Sequence, residues 1–137
     1  MKTSGACFCG DITYRATINA DFIGVCHCRD CQIFGGSAFR MVALAKPEDF
    51  KITHGEPKYF DKTSASGNTR RMVFCGQCGT HLCSLPPEPM GDDSFVSIRI
   101  STCDDFASLA PIAEIYCESR VAWLTPMQGT LQFERMP

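Results

Sequence analysis

Seven of the ten cysteines in this chain fall into three tight groups. Cys7-Phe8-Cys9-Gly10 is a C-x-C ahead of a glycine, Cys26-His27-Cys28-Arg29-Asp30-Cys31 is a C-x-C-x-x-C, and Cys75-Gly76-Gln77-Cys78-Gly79 is a C-x-x-C-G. Zinc takes four ligands in a tetrahedron and favours thiolate sulfur. Cysteines this close together let one turn of backbone supply two of the four. The glycine behind Cys78 tolerates a positive φ, so the chain can curl round a metal, and N–H groups of such a turn can donate to the thiolates. A redox C-x-x-C wants a thioredoxin-like βαβ context, and that pattern is missing.

Counting ligands divides the groups. Cys7, Cys9, Cys75 and Cys78 make a full set of four, a closed structural site. Cys26, Cys28 and Cys31 make only three, and the open fourth position is what separates a catalytic zinc from a structural one. Two zinc ions are therefore expected. Cys83 lies five residues beyond Cys78 and offers an alternative, closing the second site as well; iron–sulfur ligation is a further possibility for the groups. Cys103 and Cys117 stand alone in strand-like surroundings and read as packed core thiols. His27 alternates with two candidate ligands, so its side chain points the other way and is assigned packing or hydrogen bonding. His81 reads as a structural strand residue, and His54 as a turn residue with no chemistry.

The elements that must position these groups are short strands. Alternation of apolar and polar residues marks Ile12 to Ile18, and similar runs are Ser37 to Leu44, Lys58 to Phe60, Arg71 to Phe74, Phe95 to Ile100, Ala113 to Cys117 and Val121 to Leu124. Turn formers separate them, with short helical turns expected at Pro47–Phe50 and Asp104–Leu109. The pattern is all-β. At 137 residues one domain, 1–137, is expected, long enough to bury a core without cross-links. Thirteen Lys and Arg against fifteen Asp and Glu give −2, and Arg70-Arg71 is too small a cluster for nucleic acid. No run approaches the ~20 apolar residues of a membrane span, and no signal-peptide pattern opens the chain. A cytoplasmic location with reduced thiols is the expectation, with cysteines as metal ligands, not disulfide partners.

Gly5-x-Cys7-x-Cys9-Gly10-x-Ile12-x-Tyr14, Cys26-His27-Cys28-x-x-Cys31, Gly36-Ser37-Ala38-Phe39 and Phe74-Cys75-x-x-Cys78-Gly79 resemble the glutathione-dependent formaldehyde-activating enzyme and centromere protein V family. Ile115-Tyr116, Ser119-Arg120 and Trp123-Leu124 fit the C-terminal part of that pattern. The resemblance implies a zinc-stabilised β-tent (Mss4-like) domain of short antiparallel strands in two or more twisted sheets. It implies the same partition: a structural zinc on Cys7, Cys9, Cys75 and Cys78, and an active-site zinc on Cys26, Cys28 and Cys31. The implied activity is that of a carbon–sulfur lyase resembling S-(hydroxymethyl)glutathione synthase, joining a small thiol, glutathione in the named family, to formaldehyde. Arg29, Arg40, Lys62, Arg70 and Arg71 are candidates for the carboxylates of such a thiol. A zinc-stabilised protein-binding module is the alternative, marked by an exposed apolar patch near Phe34 or Phe39 in place of a polar pocket. A metal- or redox-responsive protein is the third reading.

Overall fold

The computed structural model describes Met1–Pro137. Nine strands form: β1 (Lys2–Ala6), β2 (Thr13–Cys26), β3 (Arg40–His54), β4 (Lys58–Thr63), β5 (Thr69–Phe74), β6 (His81–Leu85), β7 (Val96–Arg99), β8 (Ala113–Ile115) and β9 (Leu131–Gln132). They hydrogen-bond in the order β4-β5-β6-β7-β3-β2-β8-β9, with β1 added along β2. The all-β expectation holds. The strands join in one sheet where two or more were expected, because β2 and β3 run long enough to belong to both halves. Register shifts between Ala16 and Ile18 and between Ile18 and Ile23 interrupt their pairing, and such bulges bend a strand and sharpen its twist. The free edge of β2 is shared: β1 pairs with Thr13–Thr17, and β8 runs parallel beside Gly24–Cys26.

Alternation gives the sheet two unlike faces. On one, Tyr14, Ala16, Ile18, Ile23, Ala43, Ala45, Val73, Leu82, Cys83, Val96 and Ile98 pack into the main core. On the other, the intervening residues Arg40, Val42, Leu44, Arg70, Met72, Ser84 and Ser97 line a cleft. Period-two side-chain direction places them there.

Some expectations need correction. Pro47–Phe50 lies inside β3 and forms no helical turn; the strand bends there by a bulge, which accommodates a proline. Val121 to Leu124 forms no strand, Trp123 being 77% exposed with no neighbouring strand to pair with. The turn expected at Asp104–Leu109 does appear, as the 3-10 turn Phe106–Ser108. A helix not expected at all, α1 (Arg29–Gly35), follows β2 and ends on Gly36 at φ 65.

Candidate functional site

The four-cysteine group comes from two knuckles at one end of the sheet. Gly10 N donates to Cys7 O at 3.0 Å and Gly79 N to Cys75 O at 2.8 Å, closing a tight turn at each. Gly10 and Gly79 sit at φ 79 and 77, a region that favours glycine. Phe8 N donates to Thr80 Oγ1 at 3.1 Å, tying one knuckle to the other. All four sulfurs lie within 4.8 Å of one another. Cys7 Sγ is 3.6 Å from Cys9 Sγ, and Cys9 Sγ is 3.7 Å from Cys75 Sγ. Those separations match the edge of a tetrahedron with zinc–sulfur bonds of about 2.3 Å, roughly 3.8 Å, and are far from a disulfide's ~2.05 Å. Backbone N–H groups of Ile12, Gln77 and Cys78 point at the sulfurs at 3.2–3.4 Å, as thiolates require.

The second group is built where β2 passes into α1. Cys26 ends the strand, Cys28 caps the helix by accepting from Cys31 N at 3.4 Å, and Cys31 sits in the first turn. Their three sulfurs also lie within 4.8 Å of one another. Cys26 and Cys31 are buried, while Cys28 is half-buried. Hydrogen bonds from the Cys26 and Cys31 thiols draw the Cys28 pKa down, and Cys26 is pushed up by Cys28 foremost and by Cys31. Three thiolates at this spacing repel unless a cation neutralises them. Both groups fit a thiophilic divalent cation, four ligands in one and three in the other.

Cys83 belongs to neither group and is buried in the core. Cys103 packs in that core too, with Tyr14 Oη 3.2 Å from its sulfur. Cys117 does not: it is half-exposed, and Arg120 Nη2 donates to its sulfur at 3.2 Å, because the strand expected there stops at Ile115. His81 lies in β6, stacked on Phe74. His54 ends β3 and hydrogen-bonds Asp11 O through Nδ1 at 2.8 Å.

Behind the trio, His27 is fully buried, and its Nε2 lies 2.8 Å from Oε1 of the equally buried Glu114. A carboxylate only accepts, so Nε2 carries the proton. Glu114 also accepts from Met127 N at 2.9 Å, from Thr130 Oγ1 at 2.8 Å and from Gln132 Nε2. Burial alone would raise the carboxyl pKa, but the bonds from Gln132, His27, Met127 and Thr130 outweigh it and hold it down at about 2. This residue fastens the C-terminal segment to the Cys26–Cys28 loop. Sequence reading did not find it, because a lone glutamate in an apolar run has no motif; its position in a strand core was the available signal.

The cysteine trio opens into a cleft of about 710 Å³. Five cationic side chains line it, Arg29, Arg40, Lys62, Arg70 and Arg135, against two acidic ones, Asp30 and Glu118. Lys62 Nζ pairs with Asp30 at 2.7 Å and Arg135 with Glu118 at 3.1 Å. Of the expected carboxylate binders, Arg71 faces away and pairs with Asp61 on the exposed surface. Arg99, on the same face of β7 as the cleft-lining Ser97, does not itself line the cleft; its Nη2 donates to Phe34 O at 3.0 Å. Tyr116 borders the same cleft in a left-handed conformation at φ 53, a strained state that needs surrounding structure to hold it. Phe34 lines the cleft with the exposed Phe60 ring 6.3 Å away, and the Phe39 ring packs 5.9 Å from the His27 ring.

Residues 2–119 match the family model described as glutathione-dependent formaldehyde-activating enzyme. An uncharacterized lyase of Schizosaccharomyces pombe is 30% identical over 78 residues, covering 57% of this chain and 53% of the relative. The match thus spans about half the length of that curated relative. A crystal structure of a Rhodobacter sphaeroides protein shares the fold with a TM-score of 0.58 at 14% identity, over 95% of this chain and 98% of that one.

Proposed function

The chain belongs to the glutathione-dependent formaldehyde-activating enzyme family, and from that premise we propose a carbon–sulfur lyase-type enzyme that adds a small thiol to an aldehyde beside Cys26, Cys28 and Cys31. These three residues hold a zinc ion in the reading offered here, and Cys7, Cys9, Cys75 and Cys78 hold a second, structural one. One observation carries it. The three-cysteine group lines the large cleft, whereas none of the four-cysteine group does. The name of the S. pombe relative, a lyase, points the same way. A cytoplasmic setting and a single domain over 1–137 belong to the same proposal.

A zinc ion with one open position lowers the pKa of a thiol taken there, so that it is a thiolate at neutral pH. The chain's own residues do the rest. Cys28, half-buried, borders the cleft, and its backbone cap keeps its sulfur aimed there. The arginines of the cleft hold anionic parts of the ligand, and α1, the β4–β5 hairpin and the C-terminal segment contribute its walls. In the addition, the sulfur loses its proton, a carbon–sulfur bond forms as the carbonyl π bond breaks, and the former carbonyl oxygen takes a proton. The sequence-based alternative, a protein-binding module, would be marked by an exposed apolar patch near Phe34 or Phe39 in place of a polar pocket. A cleft with charged walls at that place favours the enzyme.

NMR exchange spectroscopy on glutathione–formaldehyde mixtures, with protein shown to be zinc-loaded, tests the reading. Exchange faster than in buffer is expected. The same rate with and without protein, for glutathione and for other small thiols, would overturn it.

A further inference from the structure

Among the Asp, Glu, Lys and Arg side chains of the cleft the charges do not balance. Its two acidic side chains are both paired, so Arg29, Arg40 and Arg70 have no acidic partner. Arg29 is exposed on α1 and reaches Gln32, but the other two are enclosed. Arg70 is fixed: its Nη2 donates to Ser84 O at 2.9 Å and Phe95 O at 3.0 Å, and its guanidinium lies 4.5 Å from the Phe95 ring centre. Arg99 is fixed by Phe34 O. Arg40 pairs in register with Cys26 across β2 and β3, which sets its stem about 5 Å from that of a cysteine in the trio. Its Nε is buried with no hydrogen-bond partner.

Burial, together with the charge of Arg40, pulls Arg70 and Arg99 down to about 10. Like charges gathered together cost stability, and guanidinium N–H groups pair with carboxylate and phosphate oxygens. Arg40 and Arg70 carry two positive charges, so one carboxylate leaves half of that charge unmatched and a doubly charged group matches both. The same cleft offers no unpaired carboxylate to an ammonium group, which glutathione carries. We propose that Arg40 and Arg70, backed by Arg99, form a subsite for a doubly charged oxyanion group, a dicarboxylate or a phosphoryl group, and that the cleft selects ligands bearing it and lacking an ammonium. That the ligand is a thiol rests on the lyase reading; the anion subsite does not.

Calorimetry on the zinc-loaded full chain tests it, with 2-mercaptosuccinate, glutathione and 2-mercaptoethanol as ligands. Succinate and inorganic phosphate serve as competitors. 2-Mercaptosuccinate is expected to bind at least tenfold more tightly than either other thiol. Succinate winning the competition identifies a dicarboxylate, phosphate winning it a phosphoryl group, and competition by neither refutes the subsite. Arg40→Gln, a side chain with no hydrogen bond to lose, should weaken 2-mercaptosuccinate at least tenfold more than it weakens 2-mercaptoethanol. Arg40→Lys, which keeps the charge without the fork, should fall between. Glutathione binding as tightly as 2-mercaptosuccinate, or an unchanged Arg40→Gln affinity, would overturn the proposal. Arg40-dependent binding with no carbon–sulfur bond formed from any aldehyde would remove the lyase reading and leave the subsite standing. Turnover of neutral thiols indifferent to Arg40→Gln would do the reverse.

Discussion

Replacing Glu114 with Gln removes one charge and little volume from a fully buried position. The carboxyl goes from an ordinary 4.5 in the unfolded chain to about 2 in the folded one, and that difference is worth about 3 kcal/mol at neutral pH. Like the protonated carboxyl, the amide of Gln turns a donor toward His27 Nε2, Met127 N, Thr130 or Gln132, so the clash of buried donors is already contained in that difference. A loss of about 3 kcal/mol is therefore expected, a downward shift of roughly 1–3 M in the urea midpoint. The measurement is urea unfolding of zinc-loaded wild type and Glu114→Gln across pH. Because the folded pKa is depressed, the contribution is complete above about pH 4.5 and is lost as pH falls toward 2. The gap between the two proteins should be flat from pH 7 to 5 and close below that. Acid that strips the structural zinc unfolds both proteins, so the comparison is confined to the pH range in which metal analysis shows both proteins still loaded. A midpoint shift under 0.3 M at pH 7 (about 0.5 kcal/mol), or a gap that widens in acid, would refute the account of Glu114 as an ionised clamp.

The two cysteine groups should respond differently to a lost ligand. Cys78→Ser is expected to unfold the domain, since a four-thiolate zinc site is worth about 10 kcal/mol or more in small zinc peptides. Cys28→Ser should leave a folded protein with one zinc where the wild type has two, by metal analysis and circular dichroism; equal unfolding of both would refute the division. At Gly5, an added Cβ would lie 2.4 Å from Thr102 O and from the Tyr14 ring, so Gly5→Ala should cost about 1–3 kcal/mol. Thermal melting measures it, and an unchanged midpoint would show that β1 shifts freely over Tyr14.

The candidate metal groups were legible because ligand spacing is local: Cys7 and Cys9, or Cys75 and Cys78, sit in one turn wherever the turn goes. The main strands were legible through alternation, though not the length of β3, whose Pro47 argued for a turn that a bulged strand absorbs instead. Helix α1 was hidden because its cap is a cysteine and its seven residues are too few for a periodic stripe. Glu114, Arg99 and the cleft depended on strand order, which joins β3 to β7 and β2 to β8 across long stretches of chain. Nothing local encodes that.

The alternation along β3 has a consequence for folding itself. Arg40, Val42 and Leu44 look into the cleft while Met41, Ala43 and Ala45 look into the core. If β3 slipped by one residue against β7, Arg40 would turn into the apolar interior, and Met41 would turn out. Burying an unpaired charge costs several kcal/mol, more than a misaligned strand recovers. Side chains that attract an anion in the finished protein therefore also proofread the pairing that builds it. Neutralising Arg40, whose side chain makes no hydrogen bond, would test that fidelity: Arg40→Met should refold with more aggregation than the wild type.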